Sequence, residues 1–211
     1  SAASDVYKRQ TMKHIIKSSE PVSFTNWKRT HPGLRYKDLK GSPKTDLKNA
    51  LISEQKHLCC YCERRIYDAD SHIEHFRPKG NPLYQHLELD YNNLHASCIK
   101  YLSTGVEPQC GHKKENTFTN TLLSPLEPNC ACHFWYTLDG VIHSVDDRGK
   151  EAIDIYNLNS GTLIKQRKGL IDFFTSDLSS EADIIDHLDS SKSCLGEFYT
   201  MIEYLHNNNN I

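Results

Sequence analysis

Apolar residues recur along this chain in short, interrupted patterns, and the interruptions set the elements it can form. Leu47, Ala50, Leu51 and Leu58 share one face at the helical period, after Thr45 or Asp46 as an N-cap, so a helix is predicted to lead into Cys59. Upstream, residues 15–39 are broken by Pro21, Pro32 and Gly33 and read as irregular, with Trp27 and Tyr36 as packing residues. Two short stretches, 64–67 and 73–76, predict a hairpin around 68–71. Pro78, Gly80 and Pro82 then open a loop, 91–97 reads as helix or turn, 99–109 as a loop and 110–116 as a short helix. Strand, strand and helix make a ββα unit.

The clearest hairpin is 134–138 with 141–145 across Asp139 and Gly140, a pair suited to a two-residue primed turn. Helical periods follow at about 149–156, 161–178, 181–188 and 194–206, and Asn207 to Asn210 read as a frayed end. No internal repeat is present. The predicted fold class is α+β, with a helical lead-in, a ββα core, an additional β-hairpin and C-terminal helices. Residues 1–11, which precede Met12 and have no apolar period, read as a leader foreign to the protein.

Composition narrows this picture. The chain of 211 residues is long enough to bury a core. No apolar run approaches the ~18–20 residues of a membrane span, and no signal-peptide series is present, which predicts a soluble, cytoplasmic protein without a membrane partner. The net charge of −2 conceals a gradient: residues 12–55 hold nine Lys or Arg against four acids, 56–115 eight against eight, and 116–211 six against fourteen. A basic end suits phosphates, whereas an acidic end repels them and suits a protein partner.

The candidate chemistry lies almost wholly within residues 56–115. Cys59 and Cys62 form a C-x-x-C knuckle, and Cys98 with Cys110 supply a second, more widely spaced pair; together they fit a structural zinc site of four thiolates. Cys60 and Cys194 are expected in the core. Cys130, Cys132 and His133 form a C-x-C-H run that lacks a fourth donor and reads better as buried thiols beside a hairpin. Between the thiols stand His72, Glu74 and His75 in HIEHFRPK, Asn92 and Asn93 in YNNLHASC, and His112, Lys113 and Lys114 in CGHKK. Strand alternation sets 72 and 74 on one face and 75 on the other.

That order of boxes resembles the HNH, or ββα-metal, endonuclease family over residues 59–115. With SEQKHLCCYCE and IYNLNSGTLIKQRK the likeness extends over about 15–170, to the PtuB-like HNH proteins of Septu and retron-associated anti-phage systems. The resemblance implies a zinc-stapled HNH core at 56–120, between a basic helical segment at 12–55 and a hairpin with an acidic helical region at 121–211. It implies His75 as general base, Glu74 and His112 as ligands of a catalytic Mg2+ or Mn2+, and Asn93, with Asn92 as its alternative, as the residue orienting the base. Gly111 stands where many HNH boxes carry Asn, and His72 is either an alternative ligand or a loop histidine. Arg77, Lys79, Lys113 and Lys114 are then expected to hold phosphates. The implied activity is cleavage of DNA phosphodiester bonds in phage defence, beside a PtuA-type ATPase, since this chain has no nucleotide-binding Gly-rich loop. The competing expectations are an RNA- or tRNA-cleaving nuclease and a zinc-stabilised binding module that cuts nothing.

Overall fold

The computed structural model describes residues 12–211, so the expected leader at 1–11 lies outside the described residues. The lead-in is more regular than its prolines suggest. Pro21 stands at the N-cap of helix α1, Val22–Thr30, and Phe24 and Trp27 turn inward from it. A proline in that place starts a helix, because the amides it would block have no intrahelical partner. Helix α2, Ser42–Glu54, also begins earlier than Thr45: Gly41, at φ 66°, turns the chain and a proline occupies its first turn. Leu47 and Leu51 are fully buried as the helical period requires, each contributing about 2 kcal/mol. Leu58 lies beyond the helix and packs with Leu195 and Tyr199. Lys56 and His57, both at positive φ, turn the chain sharply toward the knuckle.

The ββ pair is not the one predicted. Strand β1, Ser71–His75, pairs antiparallel with β2, Leu94–Cys98, in a register that sets His72 opposite Ser97 and Glu74 opposite His95. Of the expected strand at 64–67, only a single bridge between Leu58 and Arg65 forms. The true partner was illegible because every residue of β2 is buried, so it shows no alternation. Its outer edge is closed by side chains and a loop: the Gln55 amide accepts from Ala96 N at 2.7 Å and donates to Ala96 O at 2.8 Å, and Cys60 N also donates to Ala96 O. These bonds fasten α2 to the sheet and finish an edge that would otherwise be open.

Helix α3, Gly111–Lys114, completes the ββα unit. A second sheet pairs β3, Phe134–Tyr136, with β4, Ile142–Ser144. Its turn carries three residues, 138–140, rather than two: Thr137 N donates to Val141 O, Gly140 N to Thr137 O, and Gly140 sits at φ 84°. Four helices follow as the periods predict: α4, Asp147–Tyr156; α5, Gly161–Phe174; α6, Glu181–His187; and α7, Tyr199–Asn207. Helix α5 stops short of 178 because the Thr175 and Ser176 hydroxyls donate back to its last carbonyls. Among the described residues, no helix is long and apolar enough to cross a membrane.

One apolar cluster runs from Met12 and Phe24 through Leu94 and Tyr156 to Met201 and Leu205. A buried carboxylate ties its two extremes together. Glu63 accepts from Lys13 N at 2.6 Å, Thr200 N at 2.9 Å and Thr200 Oγ1 at 2.6 Å, while its carbonyl accepts from Phe198 N. Burial pushes the Glu63 carboxyl up, with Thr200 opposing. Glu63→Ala should lower unfolding free energy by about 3 kcal/mol, because three buried donors lose their acceptor. Urea denaturation checks this, and a loss under about 0.5 kcal/mol would place Glu63 among ordinary surface positions.

Candidate active site and metal centre

Helix α2, the edge of β2 and the start of α3 bring four cysteines together. The sulfurs of Cys59, Cys62, Cys98 and Cys110, all buried, lie within 4.8 Å of one another, and none is in a disulfide. Cys62 and Cys98 are 3.8 Å apart, which matches the ~3.8 Å edge of a tetrahedron with metal–sulfur bonds of ~2.3 Å. Supporting donors surround the group: Cys98 N donates to Cys59 Sγ at 3.3 Å, and the Gln109 amide reaches Cys98 Sγ at 3.8 Å. Burial opposes ionisation of Cys59, yet hydrogen bonds from Cys110 and its neighbours hold its thiol well below the usual range. Burial drives Cys62 and Cys110 well above it. Such a group fills with negative charge only when a cation shares it, so the donor set fits a thiophilic divalent ion. Among the described residues it is the one group of three or more His, Cys, Asp or Glu donors gathered for a single ion. The C-x-C-H run is not so gathered: Cys130 donates to Met12 O, and His133 pairs with Asp146. Cys60 is in the core, as expected, whereas Cys194 is half-buried against Arg65.

On the face of the sheet covered by α3, His72 and Glu74 stand together, with Nε2 and Oε2 3.6 Å apart. Lys114 was expected on a phosphate surface; it is instead fully buried, its Nζ 3.0 Å from Glu74 Oε1 and 2.9 Å from the His75 carbonyl. Tyr61 OH also donates to Glu74 Oε1, at 3.3 Å. Burial works against the Glu74 charge, but His72 and Lys114 outweigh it and hold the carboxyl below its usual range. His112 lies beside His72, ring centroids 4.8 Å apart, and its Nε2 meets the Ile99 carbonyl at 2.8 Å. His95, opposite Glu74, is wholly buried with neither ring nitrogen partnered.

His75 occupies the other face, as alternation requires. Its Nε2 is 3.1 Å from the Glu88 carbonyl, and a carbonyl only accepts, so Nε2 carries the proton and Nδ1 is the basic nitrogen. Nδ1 has no partner. Burial, seconded by Lys79, draws the His75 pKa down to about 3, which keeps the imidazole neutral at physiological pH. The group that holds the His75 ring is thus the Glu88 carbonyl, and Glu88 is itself fastened by Arg35. Asn93 acts one step away: its amide accepts from Arg77 N at 2.7 Å and donates to Arg77 O at 3.0 Å, fixing the turn after β1. Asn92 is exposed.

The expected phosphate ligands divide. Arg77, Lys79 and Lys113 are exposed, unlike Lys114. Tyr36 meets the His75 ring edge-on at 4.5 Å, and Lys44 and Lys79 stand over the Tyr36 ring at 5.2 and 5.3 Å. Lys44, which no sequence motif marks, reaches the site from the first turn of α2.

No family profile matches the chain. Two curated relatives do. One, from Vibrio cholerae serotype O1 biovar El Tor and described as a candidate HNH endonuclease of retron Vc95, is 29% identical over 134 residues, 60% of this chain and 63% of the relative. The other, described as a candidate HNH endonuclease of retron Ec83 in Escherichia coli, is 28% identical over 103 residues, 44% of this chain and 40% of the relative. These likenesses support the HNH endonuclease family. The chain spans less than two thirds of each relative.

Purified protein should carry one thiophilic metal ion per chain, and Cys62→Ser should lose it and become poorly soluble, since structural metal binding is folding free energy. Elemental analysis with thermal melting checks this; full metal content and an unchanged melting temperature in that variant would remove the site.

Proposed function

We propose that this chain is a metal-dependent HNH endonuclease that cleaves DNA phosphodiester bonds, stapled by zinc at Cys59, Cys62, Cys98 and Cys110. The observation that carries the proposal is His75. A buried imidazole whose Nε2 is committed to a carbonyl, and whose Nδ1 is left without any partner, is costly to maintain and keeps Nδ1 unprotonated, the state in which a general base begins.

In this reading His75 Nδ1 removes the proton of an attacking water, while the Glu88 carbonyl keeps the proton already on Nε2 in place. Nδ1 is closed to solvent, so neighbouring side chains yield as substrate arrives; Tyr36, half-buried and edge-on to the ring, is one of them. Lys44, Lys79, Arg77 and Lys113 hold the phosphates around the cut. Glu74 anchors a catalytic Mg2+ or Mn2+ through Oε2, and the imidazole that joins it comes from the pair His72 and His112. When bound, that ion stabilises charge developing on the leaving oxygen. Lys114 and Tyr61 hold Glu74 Oε1, so the carboxylate cannot rotate away.

The relatives carry retron names; the place in phage defence, beside an ATPase that recognises the acidic end, rests on the resemblance of the sequence. The exposed residues Phe173, Leu178 and Ile185 there lie among Asp172, Asp177, Glu181, Asp183 and Asp186, an apolar and acidic surface suited to a basic partner. Deleting this end would be a poor test, because α7 supplies Met201, Ile202 and Leu205 to the core.

Incubation with supercoiled plasmid and with tRNA, in Mg2+ or Mn2+ and in chelator, tests the activity. His75→Ala should lose at least about a hundredfold in nicking rate with structural metal retained. A folded His75→Ala protein that nicks at the wild-type rate would return the chain to the binding-module reading, and cleavage of tRNA alone would reassign the substrate. Asp177→Lys with Ile185→Lys should weaken co-purification with the ATPase while plasmid nicking is unchanged; co-purification at the wild-type level would exclude that surface.

A further inference from the structure

His72 sits two residues before Glu74 on the α3-covered face of β1, and its two ring nitrogens have different surroundings. Nδ1 lies 2.8 Å from the Ile99 carbonyl. Because that oxygen only accepts, Nδ1 carries a proton, and Nε2 is the nitrogen left facing Glu74 Oε2, at 3.6 Å. That separation is too long for a hydrogen bond between them. A proton on Nε2 pairs that nitrogen with Oε2, and a divalent ion between the two would take the proton's place. The other carboxylate oxygen is already occupied by Lys114 and Tyr61, so Oε2 alone faces this space.

The backbone around the pair is shaped to permit it. A Cβ on Gly111 would stand 2.6 Å from His72 Nε2 and 2.7 Å from Glu74 Oε2, closer than side-chain carbons approach other atoms. Gly111 does not have positive φ, so glycine is required here for space and not for backbone freedom. Ile99, which supplies the carbonyl, is a β-branched residue at φ 64°. That conformation is unfavourable for a branched side chain and persists where the surrounding structure imposes it. Metal-bound imidazoles commonly donate their second N–H to just such an acceptor.

We propose that His72, rather than His112, shares the catalytic divalent ion with Glu74, and that Gly111 is the gap that admits it. His112 meets the same Ile99 carbonyl through Nε2 and lies tilted against His72, whereas the nitrogen that stands with Glu74 Oε2 around Gly111 is His72 Nε2; His112 is a positioning residue for that ring. The assignment rests on the nuclease reading above and names its metal site.

The test is Mn(II) binding to the full chain by calorimetry and electron paramagnetic resonance, with structural metal content as the check on folding. His72→Gln should weaken Mn(II) binding by at least about tenfold and abolish the imidazole-nitrogen coupling to Mn(II) seen in the wild type. Gly111→Ala should also weaken binding, through the clash, and His112→Gln should keep both the nitrogen coupling and most of the affinity. His72→Gln that retains affinity and coupling, in a wild-type background that binds Mn(II) and nicks plasmid, overturns the His72 assignment alone. A wild type that binds no Mn(II) and nicks nothing overturns the nuclease reading and this assignment with it. If His72→Gln proves unstable, Gly111→Ala decides: unimpaired Mn(II) binding there refutes the gap.

Discussion

Everything in this protein that bears on chemistry is positioned by the meeting of four sulfurs. Cys59 and Cys62 leave the turn after α2, Cys98 ends β2, and Cys110 begins α3, so the cluster joins three stretches of chain at one point. Neither strand of the central pair exceeds five residues, and α3 has four, too short to be stable alone. Fixing Cys98 and Cys110 at one point closes the loop between them and sets α3 against the sheet. Tyr156 helps from the far side: its carbonyl accepts from Cys110 N at 2.8 Å, and its ring stacks on Tyr61 at 3.9 Å.

The site built on that staple divides between two faces of one strand. Glu74 and His75 are neighbours in sequence and face apart, which a straight strand demands. Lys114 ties the two residues together from the α3 side, its ammonium meeting the Glu74 carboxylate and the His75 backbone carbonyl. A long, fully buried cation is an expensive bridge, and it is acceptable here because a carboxylate and a carbonyl both satisfy it. The same residue on the surface would be an ordinary phosphate ligand, which is how its place in a Lys-Lys pair reads.

Much of this was legible. The four thiol positions follow from spacing, the second hairpin from Asp139 and Gly140, and the C-terminal helices from their periods. The strand partner was not, because β2 is buried on both faces and carries a histidine and a serine where a strand usually declares itself with branched residues. Nor were Glu88 and Ile99, whose contributions are backbone carbonyls: any residue type supplies the oxygen, so sequence is silent on them. Lys44 and Tyr36 were hidden for a different reason, since they reach His75 only through tertiary packing of the lead-in. His72 was visible as a residue but not as a choice, because a strand-borne imidazole declares its role only through what α3 leaves open.

The space beside Glu74 Oε2 has room for one side chain, arriving either from the strand at position 72 or from the helix at position 111. The two positions therefore behave as one variable in inheritance. A lineage that acquires a side chain at 111 must first surrender the imidazole at 72, and one that keeps His72 is bound to glycine on the helix. A substitution at 111 should therefore be accepted only where position 72, 39 residues away in the chain, has already changed.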